Sequence, residues 1–217
     1  MINRKNVSLT VLLLAVVFVL MSFKKNIEGP VVCFGDSITY GARVDGHSWV
    51  WYLSKEHPQT NFVNAGRSGR KTADKEELLP VIQKNASAKY FLIFLGVNDL
   101  KDGNDVMVND CITNMKWMIS KIHEGAPQAK IILLSPSDIN VKTMAPVNVQ
   151  KKYNENTHNA LIELNKKYKQ LAKEEHLGFI SLLHSVSKPN YADGLHPNED
   201  GQMQIASTVW KHLSKLK

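Results

Sequence analysis

Three side-chain types that acyl transfer requires stand at opposite ends of this chain. Ser37 lies in Gly35-Asp36-Ser37, and Asp193-Gly194-Leu195-His196 supplies a carboxylate and an imidazole. A serine hydroxyl is a poor nucleophile at neutral pH, so it needs a base to take its proton and a third group to hold that base in the right tautomer. His196 is the candidate base and Asp193 the candidate orienting carboxylate. With Asp-x-x-His spacing, one turn of backbone can set the carboxylate against the ring without help from a distant loop. Attack on an ester carbonyl puts negative charge on its oxygen, and donors already aimed at that position lower the barrier without reorganising. Asn98, in Gly96-Val97-Asn98-Asp99, offers a side-chain amide. Backbone N–H groups of Ser37 and of Gly69, in Asn64-Ala65-Gly66-Arg67-Ser68-Gly69, complete a candidate oxyanion hole.

Each segment also has a plainer reading. Asp36 or Ser37 can simply cap a following helix, and Asn98-Asp99 and Asp193-Gly194 both suit turns. A phosphate-cradling loop after Phe34 is disfavoured, because the run has neither Gly-x-Gly-x-x-Gly nor a Gly-Lys-Ser/Thr ending. The Gly-x-Ser-x-Gly elbow of α/β-hydrolases is absent around Ser37. The eight histidines are dispersed, with no His-Glu-x-x-His or Cys-x-x-Cys spacing, so no metal site is expected.

Positioning these residues falls to an alternation of short apolar runs and amphipathic stretches, the pattern of a parallel sheet covered by helices on both faces. The expected strands are Val31–Phe34, Asn61–Val63, Tyr90–Leu95, Ile131–Leu134 and Gly178–Leu182. Helical spacing links Val108, Ile112, Met115, Ile119 and Ile122, then Leu161, Leu164, Tyr168 and Leu171, and finally Met203, Ala206, Val209, Trp210 and Leu213. Pro136 to Gln150 is the one long irregular connection, and loops of that length are often functional. Ligands of open parallel sheets bind beyond the carboxyl ends of the strands, where all four chemical segments are expected to converge.

Taken in order, Gly35-Asp36-Ser37, Asn64 to Gly69, Gly96 to Asp99 and Asp193 to His196 resemble the four blocks of the SGNH (GDSL) hydrolases, over nearly all of the expected domain. The resemblance implies a flavodoxin-like three-layer α/β/α sandwich with a five-stranded parallel sheet. It also implies Ser37, Asp193 and His196 as catalytic residues, an oxyanion hole at Ser37, Gly69 and Asn98, and no cofactor. Gly66 and Gly69 are both available in the second block, and the Ser68-Gly69 pair resembles the family pattern better. Acyl groups on sugars, glycerolipids or thioesters are the implied substrates. We expect an O-acetylesterase on carbohydrate, because an exported enzyme would meet glycans and no extended apolar loop suits a long acyl tail. A lysophospholipase or acyl thioesterase is the alternative, and a non-catalytic glycan-binding module is the alternative of another class. Tyr40, Trp49 and Trp51 can stack on sugar rings, although Trp49 and Trp51 fall in a probable helix where core packing competes. His47, in the connection after Ser37, is the other histidine that can approach the cleft.

The 217 residues, 43% of them apolar, suit one globular domain. A formal charge of +7 looks basic, but Arg4, Lys5, Lys24 and Lys25 flank the N-terminal apolar segment, and without those four the balance falls to +3. With no basic patch interleaved with aromatics, nucleic acid is not an expected partner. Val7 to Phe23 behind Arg4 and Lys5 has the layout of an export signal. At about 17 residues it also sits at the lower edge of a membrane span, so residues 1–28 read as a signal peptide or membrane anchor and 29–217 as the hydrolase domain. We therefore expect a periplasmic or extracellular protein, either released or held at the membrane by that segment. Cys33 and Cys111 are too few for a disulfide scaffold and read as packing residues, with a bridge between them left open.

Overall fold

The computed structural model describes residues 27–216. The expected N-terminal signal or anchor segment lies outside the described residues. Five strands run β1 Val31–Gly35, β2 Phe62–Gly66, β3 Tyr90–Phe94, β4 Lys130–Leu134 and β5 Gly178–Ile180. They form one all-parallel sheet in the order β2-β1-β3-β4-β5. Residues alternate between its faces, as the two-residue period of a strand demands. Val32 and Phe34 pack with Val108, Met115, Ile119, Leu161 and Leu164, whereas Val31 and Cys33 pack with Trp49, Leu53, Ile205 and Val209. The three layers are thus helices, sheet and helices, as expected for a flavodoxin-like sandwich.

The helices are α1 Ser37–Tyr40, α2 Trp49–Glu56, α3 Leu78–Lys84, α4 Asp105–Gly125, α5 Pro146–Gln150, α6 Glu155–Glu174 and α7 Glu199–Leu213. Polar side chains fix where the longer ones begin. Ser48, Asn104, Asn154 and Asn198 each accept a hydrogen bond from a first-turn backbone N–H of α2, α4, α6 and α7. The apolar stripes of α4 and α6 face the core as their spacing predicts, with Ile112 of α4 only half-buried. In α7 the stripe is displaced: Met203 is exposed, while Ile205 and Gln202 face inward. Gln202 can be buried because both ends of its amide are used. Its Oε1 accepts from Trp49 N–H at 2.9 Å and its Nε2 donates to the Ile38 carbonyl at 3.2 Å, joining α7 to α2 and α1.

Two strands differ from the sequence expectation by more than one residue at an end. β2 extends to Gly66, so Asn64, Ala65 and Gly66 belong to the strand and not to the loop after it. Asn and Gly are poor strand formers, but pairing with β1, from Val31 opposite Phe62 to Gly35 opposite Gly66, overrides local preference. β5 stops at Ile180, and the Leu182 N–H turns to the Ser135 hydroxyl at 3.0 Å. The long connection after β4 is also less irregular than expected, since it contains α5, with Pro146 in its first turn where the missing N–H costs nothing. Cys33 and Cys111 are buried free thiols that belong to the clusters on opposite faces of the sheet. Both act as packing residues, and the bridge between them does not form.

Gly35 pairs with both Gly66 and Phe94, so β1, β2 and β3 end level and release their following segments at one edge. The backbone of α1 then lies directly over Gly66, where an added Cβ would collide with the Thr39 carbonyl carbon and the Tyr40 nitrogen and Cα. Because the obstacle is backbone, it cannot swing aside. Gly66→Ala is expected to destabilise the fold by roughly 1–3 kcal/mol, the usual cost of overpacking, and to disturb Ser37 with it. Thermal unfolding checks this, and an unchanged midpoint would show that α1 does not rest on β2 this closely.

Candidate active site

α1 is a single turn of helix placed immediately after β1 by its cap, Asp36. The Asp36 Oδ1 accepts the Ile38 N–H at 2.9 Å, so the plainer capping role is real for Asp36. It also serves the chemical one, because it presents Ser37 as the first helical residue at the sheet edge. Ser37 Oγ lies 3.1 Å from His196 Nε2. On the far side of the ring, His196 Nδ1 is 3.0 and 3.1 Å from the two carboxylate oxygens of Asp193. With Nδ1–H donated to a carboxylate, Nε2 carries the lone pair and the serine hydroxyl is the donor.

The Asp-x-x-His spacing works as its length suggests. Asp193 Oδ1 also accepts the backbone N–H of Leu195 at 3.1 Å and of His196 at 2.8 Å, a local turn that locks carboxylate and ring together. Burial alone would raise the Asp193 carboxyl. Hydrogen bonds from the His196 ring and backbone, the charge of His196 and the Leu195 N–H outweigh it and hold the group well below the usual carboxylate range. The turn is gripped from outside by the connection after β4. The Asp193 carbonyl accepts from Ala145 N–H at 3.0 Å and from Asn148 Nδ2 at 3.1 Å, and the Gly194 carbonyl accepts from Asn140 N–H at 2.7 Å. Arg43 Nε stands 3.3 Å from Asp193 Oδ2, but its exposed side chain makes this a weak pair.

Asn98 is buried four residues beyond β3. Its Nδ2 donates to the Arg70 carbonyl at 3.1 Å, and its Oδ1 accepts from the Tyr153 hydroxyl at 2.7 Å. Arg70 is itself buried, with Nη1 donating at 2.6 Å to the carbonyls of both Gly35 and Ala65 and its guanidinium 4.1 Å above the Phe34 ring. One planar cation thereby staples the ends of β1 and β2, a task its fork of donors suits. The adjoining Asp99 accepts from Thr72 N–H and Thr72 Oγ1, which fastens the segment after β3 to the segment after β2. Between these anchors Gly69 occupies an exposed turn with φ +77°, a left-handed conformation that glycine adopts without strain. Gly66, the other glycine of that block, spends its N–H on Asn64 Oδ1 at 2.9 Å. Of the two glycines, Gly66 thus has its N–H already committed.

Of the other sequence candidates, His47 and Trp49 have partners outside the Ser37–His196–Asp193 line. His47 pairs with Glu199 at 3.5 Å and stacks near Trp51 at 4.3 Å. Trp49 is fully buried with its Nε1 donating to Thr39 Oγ1, which settles it as core. Tyr40 alone of the three aromatics is widely exposed, three residues after Ser37. Among the described residues no group of three or more His, Cys, Asp and Glu side chains could hold a metal ion. Arg70, Asn148 and Tyr153 were not legible as site residues, because their partners are backbone carbonyls and a side chain 28 to 55 positions away.

Behind Ser37, Asp36 Oδ2 is buried without a hydrogen-bond partner. Burial pushes this carboxyl up from 3.8 to about 7, helped by the Asp99 charge and opposed by the Ile38 N–H and by His196 and Arg70. Across that window the unfolded chain ionises while the folded one keeps its proton, so this group removes stability as pH rises from about 4 to about 7. Asp36→Asn keeps the acceptor for Ile38 and abolishes the titration. Its unfolding free energy relative to wild type should therefore improve steadily across that window in urea titrations; a difference that stays constant with pH would refute the burial argument.

With the geometry in view, comparison with known proteins gives a consistent answer. The model of the GDSL-like Lipase/Acylhydrolase family matches residues 33–203. The chain is 26% identical over 204 residues to the Escherichia coli K12 thioesterase 1/protease 1/lysophospholipase L1, covering 91% of this chain and 89% of that one. Among solved structures it is similar in fold to the M. smegmatis aryl esterase, at a TM-score of 0.73 and 20% identity over 87% of this chain and all of that one. It is equally similar to Est24, a carbohydrate acetylesterase from Sinorhizobium meliloti, at a TM-score of 0.73 and 16% identity over 88% of this chain and all of that one. Sharing the family's sequence pattern along most of its length, the chain belongs to the GDSL-like lipase/acylhydrolase family and is an ester hydrolase of it.

Proposed function

We propose that the protein hydrolyses carboxylic esters through an acyl-enzyme on Ser37. The observation that carries this is the unbroken line from Ser37 Oγ to His196 Nε2 and from His196 Nδ1 to Asp193. Ser37 Oγ attacks the acyl carbon as His196 Nε2 takes its proton, and the imidazolium formed is stabilised by the Asp193 carboxylate. The carbonyl oxygen becomes an oxyanion received by the N–H groups of Ser37 and Gly69 and by Asn98 Nδ2. Collapse breaks the bond to the leaving oxygen, which takes the proton from His196. Water then attacks the acyl group with His196 again as base, and the acid and free Ser37 are released. A glycan-binding module without chemistry would need none of this alignment.

An acetylated carbohydrate is the substrate class we favour. Tyr40, exposed three residues after Ser37, offers a face on which a sugar ring can stack, and one similar fold is a carbohydrate acetylesterase. The E. coli relative, named as a thioesterase and lysophospholipase, favours the second reading, a longer acyl chain. An exported location fits a glycan substrate and rests on the sequence of residues 1–28.

Ser37→Ala should abolish hydrolysis of p-nitrophenyl acetate while the protein stays folded, and Asn98→Ala should lower kcat by on the order of a hundredfold with little change in KM, as expected for a donor that acts mainly in the transition state. Residual wild-type activity in Ser37→Ala would end the acyl-enzyme mechanism. A series of p-nitrophenyl esters from acetate to palmitate, alongside acetylated sugars, separates the substrate readings. Peak kcat/KM on long chains would replace the carbohydrate reading with the thioesterase and lysophospholipase one.

A further inference from the structure

The segment from Ala145 to Tyr153 touches both halves of the site. At one end Ala145 N–H and Asn148 Nδ2 hold the carbonyl of Asp193. At the other, Tyr153 N–H donates to the Asn148 carbonyl at 3.1 Å, and the Tyr153 hydroxyl reaches Asn98 Oδ1 at 2.7 Å. Asn154, the next residue, caps α6 and donates to Asp102, so the tyrosine backbone is pinned where the segment ends. The ring is 2% exposed.

Hydrogen-bond chemistry fixes the direction of each contact. The Arg70 carbonyl can only accept, so the Asn98 atom facing it at 3.1 Å is the amide nitrogen. Oδ1 then faces Tyr153, and the phenol must donate. One hydrogen of the Asn98 amide is committed to Arg70, which leaves the second as the one that can serve a developing oxyanion. Donation into the amide oxygen also polarises the group and strengthens its N–H as a donor.

From this we infer that Tyr153 is a positioning residue for the reaction: its hydroxyl fixes and polarises the Asn98 carboxamide, while Ala145 to Tyr153 sets that amide in register with the acid–base turn at Asp193. The inference rests on the reading of Asn98 as an oxyanion donor. Burial, with the charges of Asp36, Asp99 and Asp193, pushes the phenol far above its usual range, so its proton is available for donation at any working pH.

Steady-state kinetics of the full chain on p-nitrophenyl acetate test it, with Tyr153→Phe, Asn98→Ala and the double variant. Tyr153→Phe should lower kcat about tenfold with KM within about twofold, because a displaced donor loses transition-state contact before it loses substrate. In the Asn98→Ala background the same change should have almost no further effect, since the two residues act as one unit. The shape of the pH–rate profile should not move. Replacing Tyr153 by p-aminophenylalanine, which keeps ring and donor, should restore most of the lost kcat; it also serves as the comparison if Tyr153→Phe fails to fold, with wild-type-like kcat expected and a loss as large as in Asn98→Ala counting against the inference. If Asn98→Ala is impaired but Tyr153→Phe is not, or if the two losses multiply in the double variant, the positioning role is overturned. An Asn98→Ala protein with wild-type kcat would overturn the oxyanion reading itself, and the inference with it.

Discussion

The hydrogen bond between Ser37 Oγ and His196 Nε2 joins residues 159 positions apart, and its 3.1 Å length can be held only if two segments are fixed independently to well under an ångström. On the serine side the sheet does this. β1 is a central strand with every residue buried, its last residue pairs on both sides, and Arg70 clamps its terminal carbonyl to that of Ala65 in β2. On the histidine side there is no strand, only a turn. That turn is held by its own Asp193 carboxylate from within and by Asn140, Ala145 and Asn148 from without. The rigidity of the site thus comes from dense hydrogen bonding of buried backbone groups.

The same economy of partners explains where polar groups could be buried. Gln202 and Asn98 lie inside the protein because both ends of each amide are engaged. Arg70 is tolerated because three acceptors and an aromatic face surround it, even though burial lowers its basicity. Asp36 is one exception. It caps α1 with one oxygen and leaves the other unsatisfied beneath Ser37, a cost in stability at the position that aims the hydroxyl. A fold that accepts an unpartnered carboxyl there places the direction of Ser37 above local stability.

Much of the architecture could be read from short-range patterns. Tyr90 to Phe94 and Ile131 to Leu134 are apolar runs too short for helices, and the stripes of α4 and α6 recur at helical spacing, so sheet and layers follow from periodicity. Errors arose where tertiary pairing overrode propensity. Asn64 to Gly66 looks like a loop and is a strand because β1 supplies its partners; Met203 has the right spacing for the core and is exposed because Gln202 takes the inward position. The segment Pro136 to Gln150 reads as a long, irregular connection of a length that is often functional, whereas its grip on Asp193 has no sequence signature.

By itself the sequence determined the chemistry on offer. It contains a serine directly after the first strand, one Asp-x-x-His turn whose spacing closes locally, an asparagine after the third strand, and an alternation that must bring such segments to one edge. Tertiary structure alone decided that Gly66 is used up by Asn64 and by the close backbone of α1, whereas Gly69 stands in an open turn. It also decided that Arg70, Asn148 and Tyr153 belong to the site at all. The reason is physical: apolar period and turn chemistry act between neighbours along the chain, whereas a hydrogen bond to a carbonyl or an amide dozens of residues away leaves no pattern until the sheet has brought its partners together.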